Sequence, residues 1–215
     1  MSVAVMAHPD RREHAALLAE QVGAPIVWDR NGQVADTCLR ALEAYDPAAS
    51  HHVILQDDAV VCGDLLAGLA RASQVAGNRP IGLYLGALRP RDRMAPLLEM
   101  ALATGAPWIE FDGPRWGVAC AHPVPLLPEL IARYRLLPGI KQDDTRGSQA
   151  YAQMRVKTLF TVPSLVEHGD LPSLTKPDTV LPPRRAAAFI GEDASALDVD
   201  WHGPVVTKDS VKRRR

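Results

Sequence analysis

Asp57 and Asp58 stand side by side at the end of the run His52-Val53-Ile54-Leu55-Gln56. Adjacent carboxylates repel unless a cation or hydrogen bonds compensate. A hard divalent ion, Mg²⁺ or Mn²⁺, takes carboxylate oxygens and leaves positions for phosphates. Side chains alternate along an extended segment, so only one of the pair needs to touch the ion, while the other serves a water ligand or a hydroxyl. The ordinary alternative is a helix cap: either aspartate can cap a segment beginning near Gly63-Asp64.

Three other groups have useful chemistry. His168 follows the run Thr161-Val162-Pro163-Ser164-Leu165-Val166-Glu167; a neutral imidazole beside a carboxylate suits Mn²⁺ better than Mg²⁺. Asp143 and Asp144 open a helical pattern, where they either complement the helix dipole or offer a carboxylate as general base. Trp116, between Arg115 and Gly117, is either a core aromatic or a stacking platform. His51-His52 lies at the wrong end of its strand for the acidic pair and reads as a strand entry. Arg89, Arg91 and Arg93 form either a phosphate-facing patch or a solvated loop.

The elements that must position these groups alternate along the chain. Val3 to Ala7, Pro25 to Trp28, His52 to Leu55 and Ile81 to Leu85 read as strands. Between them lie helical patterns from about Arg11 to Val22, capped by Asp10, then Val34 to Tyr45 and Leu65 to Val75. This rhythm predicts an α/β domain with a mostly parallel central sheet and helices on both faces. In the second half, Met94 to Thr104, Pro128 to Leu136 and Asp144 to Arg155 read as helices. Trp108 to Phe111 and Gly117 to Ala121 read as strands around the turn Asp112-Gly113-Pro114, and Thr158 to Val162 as a late strand. The boundary falls near residue 175: 1–175 is the expected domain and 176–215 an extended, partly disordered C-terminal arm, onto which Trp201 can tack.

Composition narrows the function classes. The 215 residues carry a formal net charge of −1, so the molecule as a whole is no electrostatic nucleic-acid or membrane binder. Only the terminal Lys212-Arg213-Arg214-Arg215 offers a weak nucleic-acid contact. Three scattered cysteines, Cys38, Cys62 and Cys120, read as reduced core thiols. Apolar runs stop well short of a membrane span and the N-terminus lacks a signal pattern, so a cytoplasmic chain is expected.

Val53-Ile54-Leu55-Gln56-Asp57-Asp58 resembles the strand-plus-acid motif of glycosyltransferases with the GT-A fold, closest to the LEDD type of lipopolysaccharide-type and phage-encoded members. Thr161 to His168 resembles the late strand where a histidine gives a second metal ligand. Asp143-Asp144 resembles the acidic motif facing the acceptor. The resemblance covers about residues 1–175 and implies a single Rossmann-like GT-A domain. It implies Mn²⁺ or Mg²⁺ held by Asp58 and His168, with Asp57 acting through water, and a nucleotide-sugar donor, UDP-sugar favoured. It places His8, Pro9, Arg11 and Arg12 against the donor nucleotide, with Arg11 or Arg12 near phosphate, and Asp29 near base or ribose. Trp116 and Gly117 mark where sugar and acceptor meet, and Asp144 or Asp143 is the base of an inverting member. Gly169 to Ser173 lies over the diphosphate or is an ordinary loop. The motif reads Gln-Asp-Asp where the family has separated aspartates, which leaves open which carboxylate is the direct ligand.

The expected function is thus transfer of a sugar to a hydroxyl on a modified DNA base, a protein or a saccharide. The alternatives are a metal-dependent nucleotidyltransferase, disfavoured by a glycine-free turn at His8 to Arg12, and a non-catalytic nucleotide-binding or assembly protein.

Overall fold

A computed structural model of the chain describes residues 1–87, 91–169, 171, 172, 174 and 184–212, with the backbone alone at 91 and 92. The first half alternates as expected except for one added strand, β4: β1 (Ser2–Ala7), α1 (Arg12–Val22), β2 (Ile26–Trp28), α2 (Val34–Glu43), β3 (His51–Gln56), β4 (Ala59–Val61), α3 (Leu65–Ala76) and β5 (Ile81–Gly82). The second half adds α4 (Arg91–Thr104), β6 (Trp108–Phe111), β7 (Ala119–Pro123), α5 (Leu127–Arg135), α6 (Asp143–Gln153), β8 (Thr158–Thr161), β9 (Val166–His168), β10 (Val205–Val206) and α7 (Lys208–Lys212).

Eight strands form one mixed sheet in the order β10-β6-β8-β5-β7-β3-β1-β2. β2, β1 and β3 run parallel, as do β5 with β8 and β10 with β6. β7 is antiparallel to both of its neighbours, β3 and β5, and β6 is antiparallel to β8. The strands expected on either side of the turn at Asp112 are therefore not partners, because β8 and β5 separate β6 from β7. β4 and β9, absent from the strand expectations, pair antiparallel in a second small sheet.

Strand alternation puts helices on both faces. The row Ile54, Cys120, Gly82, Phe160, Ile109 is in register across five strands and points to one side. At the β3 end it packs with Ala41 and Leu42 of α2, Leu130 and Tyr134 of α5 and Tyr151 of α6; at the far end it packs with Leu97 and Ala101 of α4. The alternate row Val53, Ala121, Ile81, Leu159 joins Leu18 and Val22 of α1 and Leu65, Leu69 and Ala72 of α3. α1 starts without the expected Asp10 cap. A short 3₁₀ turn at Pro9–Arg11 precedes it, and there the His8 side chain accepts from the Asp10 N–H. At its far end Gly23, with φ 64°, closes the helix in the left-handed conformation that glycine adopts freely.

Residues 184–212 belong to this body, unlike the extended arm expected from 176 onward. On the α1/α3 side of the sheet the C-terminal stretch covers β6. Trp201 packs on Trp108 with ring centroids 5.0 Å apart, and the Trp108 indole N–H donates to the Trp201 carbonyl at 2.9 Å. Ala196 sits against Gly68 of α3, and β10 extends the sheet along β6. Residues 175–183 and 213–215, which include most of the basic terminus, lie outside the described residues. Cys62 and Cys120 are core residues; burial raises their thiols to about 11 and about 12, so both are protonated at neutral pH. Among the described residues no helix is long and apolar enough to cross a membrane.

Candidate functional site

The C-terminal ends of the parallel strands β1 and β3 lie side by side, the place where open α/β sheets bind ligands. Past Leu55, alternation sends successive side chains to opposite faces. Gln56 continues the Ile54 face and reaches α6, where its Nε2 donates to Asp143 Oδ2 at 2.9 Å. Asp57 continues the Leu55 face toward the start of α1. Its Oδ2 accepts the His8 backbone N–H at 2.7 Å and its Oδ1 accepts Arg11 Nη1 at 2.8 Å. Two acidic pairs, Asp57-Asp58 and Asp143-Asp144, thus flank one strand end and are joined through Gln56.

Asp58 is drawn to the small sheet. Its carbonyl accepts the Gly169 N–H at 2.7 Å, and a Cβ on Gly169 would stand 2.9 Å from that oxygen. The antiparallel register sets Ala59 opposite His168. His168 Nε2 consequently lies 3.5 Å from Asp58 Oδ2, with both side chains 4 % exposed. Arg11 Nη1 contacts the same Asp58 oxygen at 2.5 Å, while Asp58 Oδ1 is buried with no hydrogen-bond partner among the described residues. Burial opposes the Arg11 charge, but Asp58 and Asp57 outweigh it and raise the guanidinium pKa. Burial raises the Asp57 carboxyl in spite of the His8 and Arg11 hydrogen bonds that pull it down.

The second acidic pair is also perturbed. Burial, then the neighbouring Asp144 charge, pushes Asp143 up to about 6, against the lowering effect of Gln56. Burial raises Asp144 as well, although its Oδ1 accepts both the N–H and the hydroxyl of Thr145. A Cβ at Gly117 would run into the Asp143 carboxylate and the Gln56 amide, so only glycine permits this approach. Trp116 stands edge-on to Tyr84 and Phe160, with centroids 5.9 and 5.5 Å away, and is half-buried. It lines a small cavity with Gly117, Asp143, Asp144 and Met6.

Other expected site residues make contacts of their own. Arg12 turns to the outside and rests its guanidinium over Trp28, 5.0 Å from the ring centroid. Asp29 accepts the N–H groups of Asn31 and Gly32 at 2.9 Å each; burial raises its carboxyl, but these bonds outweigh it and hold it low, which makes Asp29 a turn residue. Pro9 is exposed in the 3₁₀ turn. Ser173 lies outside the described residues, as do Arg89 and the side chain of Arg91. Gln56 and the bridging role of Arg11 were missed from sequence; the Ile54–Gln56 parity was the one available signal for the former.

Among the described residues no three His, Cys, Asp or Glu side chains gather as a preformed metal group. Asp58 and His168 offer a carboxylate and an imidazole to a common ion, and the orphaned Asp58 Oδ1 is an acceptor in want of a partner. No protein-family model matches the chain, and no curated protein matches it.

Proposed function

We propose that the chain is a metal-dependent glycosyltransferase with a GT-A-like fold, moving a sugar from a nucleoside-diphosphate sugar, UDP-sugar foremost, to a hydroxyl acceptor. The convergence of Asp58 and His168 carries the reading: chain positions 110 residues apart bring a carboxylate and an imidazole within 3.5 Å, beyond the carboxyl ends of parallel strands. Neighbouring ligands of one octahedral ion, each about 2.1–2.2 Å from it, stand about 3 Å apart. A small closure of the observed gap fits that spacing, and the mixed donor set favours Mn²⁺.

Bound there, the ion would neutralise charge developing on the diphosphate leaving group. The other tasks fall to the chain itself. Asp143, ionised above about pH 6, takes the acceptor hydroxyl proton. Asp144, held at the helix start by Thr145, keeps the Asp143 pKa up by its charge. Gln56 fixes the carboxylate orientation, and Gly117 leaves room for that approach. Arg11 brings positive charge to the phosphate side.

Calorimetric titration of UDP with and without Mn²⁺ tests the proposal. Wild-type protein should bind UDP only with the ion present, and Asp58→Asn should abolish the ion dependence while the fold persists. His168→Ala should weaken ion binding by about 10- to 100-fold. UDP affinity that ignores Mn²⁺ in the wild type, or is unchanged in Asp58→Asn, would overturn it.

A further inference from the structure

One guanidinium sits where the proposed ion belongs. Arg11 Nη1 donates to Asp57 Oδ1 at 2.8 Å and to Asp58 Oδ2 at 2.5 Å, and Nη2 donates to the Pro172 carbonyl at 2.8 Å. The three side chains are 12 %, 8 % and 4 % exposed, so solvent screens this cluster little. Asp58 Oδ2 is also the oxygen nearest His168 Nε2. The Asp58 oxygen that faces the imidazole is therefore already taken by an Arg11 N–H. A guanidinium keeps its charge at any working pH, so it cannot stay on that oxygen beside a second cation without strong repulsion.

We infer that Arg11 is an exchangeable internal counter-cation: it neutralises Asp57 and Asp58 in the empty protein and leaves Asp58 Oδ2 when a divalent ion enters. The inference rests on the sugar-transfer reading for the identity of the ion and of its companion ligand. The released guanidinium keeps its planar fork of donors, which fits phosphate oxygens. A nucleoside diphosphate arriving with the ion supplies those oxygens. Each ligand alone faces an unfavourable exchange: the ion must expel Arg11 into solvent, and the diphosphate meets a guanidinium already engaged by two carboxylates. Together they repartition the charges, the ion to the aspartates and Arg11 to the phosphates. Binding of the two is then coupled, and the coupling is reciprocal.

Any diphosphate that touches the ion directly produces some coupling, so the diagnostic measurement uses Mn²⁺ without nucleotide. Free Mn²⁺ is followed by electron paramagnetic resonance as full-length wild type, Arg11→Gln, Arg11→Lys and Arg11→Gln/Asp58→Asn are titrated. Arg11→Gln should bind Mn²⁺ at least about tenfold more tightly than wild type. Arg11→Lys, which keeps the charge and loses the fork, should fall between them, and the double variant should lose the gain. Thermal unfolding supplies a second readout. Arg11→Gln leaves two carboxylates uncompensated, so it should melt below wild type in EDTA and recover more with Mn²⁺ than wild type does. UDP should then tighten Mn²⁺ binding by a smaller factor in Arg11→Gln than in wild type. Equal or weaker Mn²⁺ binding by both Arg11 variants, with UDP-dependent binding intact in wild type, sinks the exchange and leaves sugar transfer standing. Mn²⁺ bound by none of the proteins, with or without UDP, sinks both.

Discussion

Gln56 Nε2 donates to Asp143 Oδ2 at 2.9 Å, and that bond joins the last residue of β3 to the first residue of α6. The strand that leads into Asp57-Asp58 thus also holds the second acidic pair through Gln56. A divalent ion and a general base, if both are used, share a single rigid support, and their relative placement does not depend on a long loop.

The bond makes a pH prediction. Asp143 works as a base only when ionised, and burial with the Asp144 charge sets its pKa near 6. Turnover should therefore fall as pH drops through about 6. The Gln56 amide favours the carboxylate form, so Gln56→Leu should move this limb to higher pH. A kcat profile measured with saturating donor and Mn²⁺ checks both directions. A limb that stays in place in Gln56→Leu, or persists in Asp143→Asn, removes Asp143 from the role.

Gly117 gives a steric prediction on the same side of the strand. A methyl group there meets the Asp143 carboxylate and the Gln56 amide, while Asp57 turns to Arg11 and Asp58 to His168. Gly117→Ala should lower kcat by about 10- to 100-fold through misplacement of Asp143. Mn²⁺-dependent UDP binding should remain near wild type. Parallel loss of nucleotide binding would show that the two acidic pairs are not separate functional units.

What could be read ahead from sequence follows periodicity. The β1-α1-β2-α2-β3 succession was legible because apolar runs such as Val3 to Ala7 alternate with helical patterns such as Val34 to Tyr45, and the short β2 is marked off by the turn sequence Asp29 to Gly32. β4 and β9 were not, since Ala59-Val60-Val61 and Val166-Glu167-His168 are three residues each and gain strand character only by pairing. Asp57, Asp58, Asp143 and His168 were picked out by residue type and position. Their partners were not: the Arg11 bridge depends on a 3₁₀ turn that re-aims its side chain, and the Asp29 carboxylate, expected near base or ribose, also closes its own turn. The C-terminal stretch lacks periodicity because isolated anchors, Ala196 and Trp201, fasten it.

A stability prediction comes from the buried histidines of β3 and β7. His122 accepts or donates one hydrogen bond to the Tyr151 hydroxyl at 2.8 Å, and its pKa falls to about 3 through burial and then the nearby His52 and His51. Burial lowers His51 and His52 as well. The unfolded imidazole protonates near pH 6.5 while the folded one stays neutral, so stability drains away as pH falls below about 6.5. For His122 the loss between pH 7 and 5 is about 2 kcal/mol. Asp143 works in the opposite sense, since its folded pKa of about 6 takes up a proton in that window before the unfolded carboxyl does. Urea unfolding of His122→Gln isolates the histidine. Its change in stability from pH 7 to 5 should be smaller than that of wild type by about 2 kcal/mol, and an identical change would contradict a neutral buried His122.

The last prediction concerns the arm. A Cβ at Gly68 would stand 2.6 Å from the Ala196 carbonyl oxygen and closer still to its methyl group, and a backbone oxygen has little freedom to give way. The collision falls where residues 195–198 cover α3, next to the Trp108–Trp201 contact that completes this side of the sheet. Gly68 is also inside the first turn of α3, where alanine is the better helix former by up to about 1 kcal/mol. If the arm were loosely laid on the surface, Gly68→Ala would therefore raise the melting temperature. If the arm is an integral layer of the fold, overpacking should win, costing about 1–3 kcal/mol net and lowering the melting temperature by about 2–4 °C for each of those kcal/mol. Amide exchange should then quicken in residues 196–206 before it does in β1 and β3. A stabilised variant with an unchanged exchange map would show that the sheet does not need this covering.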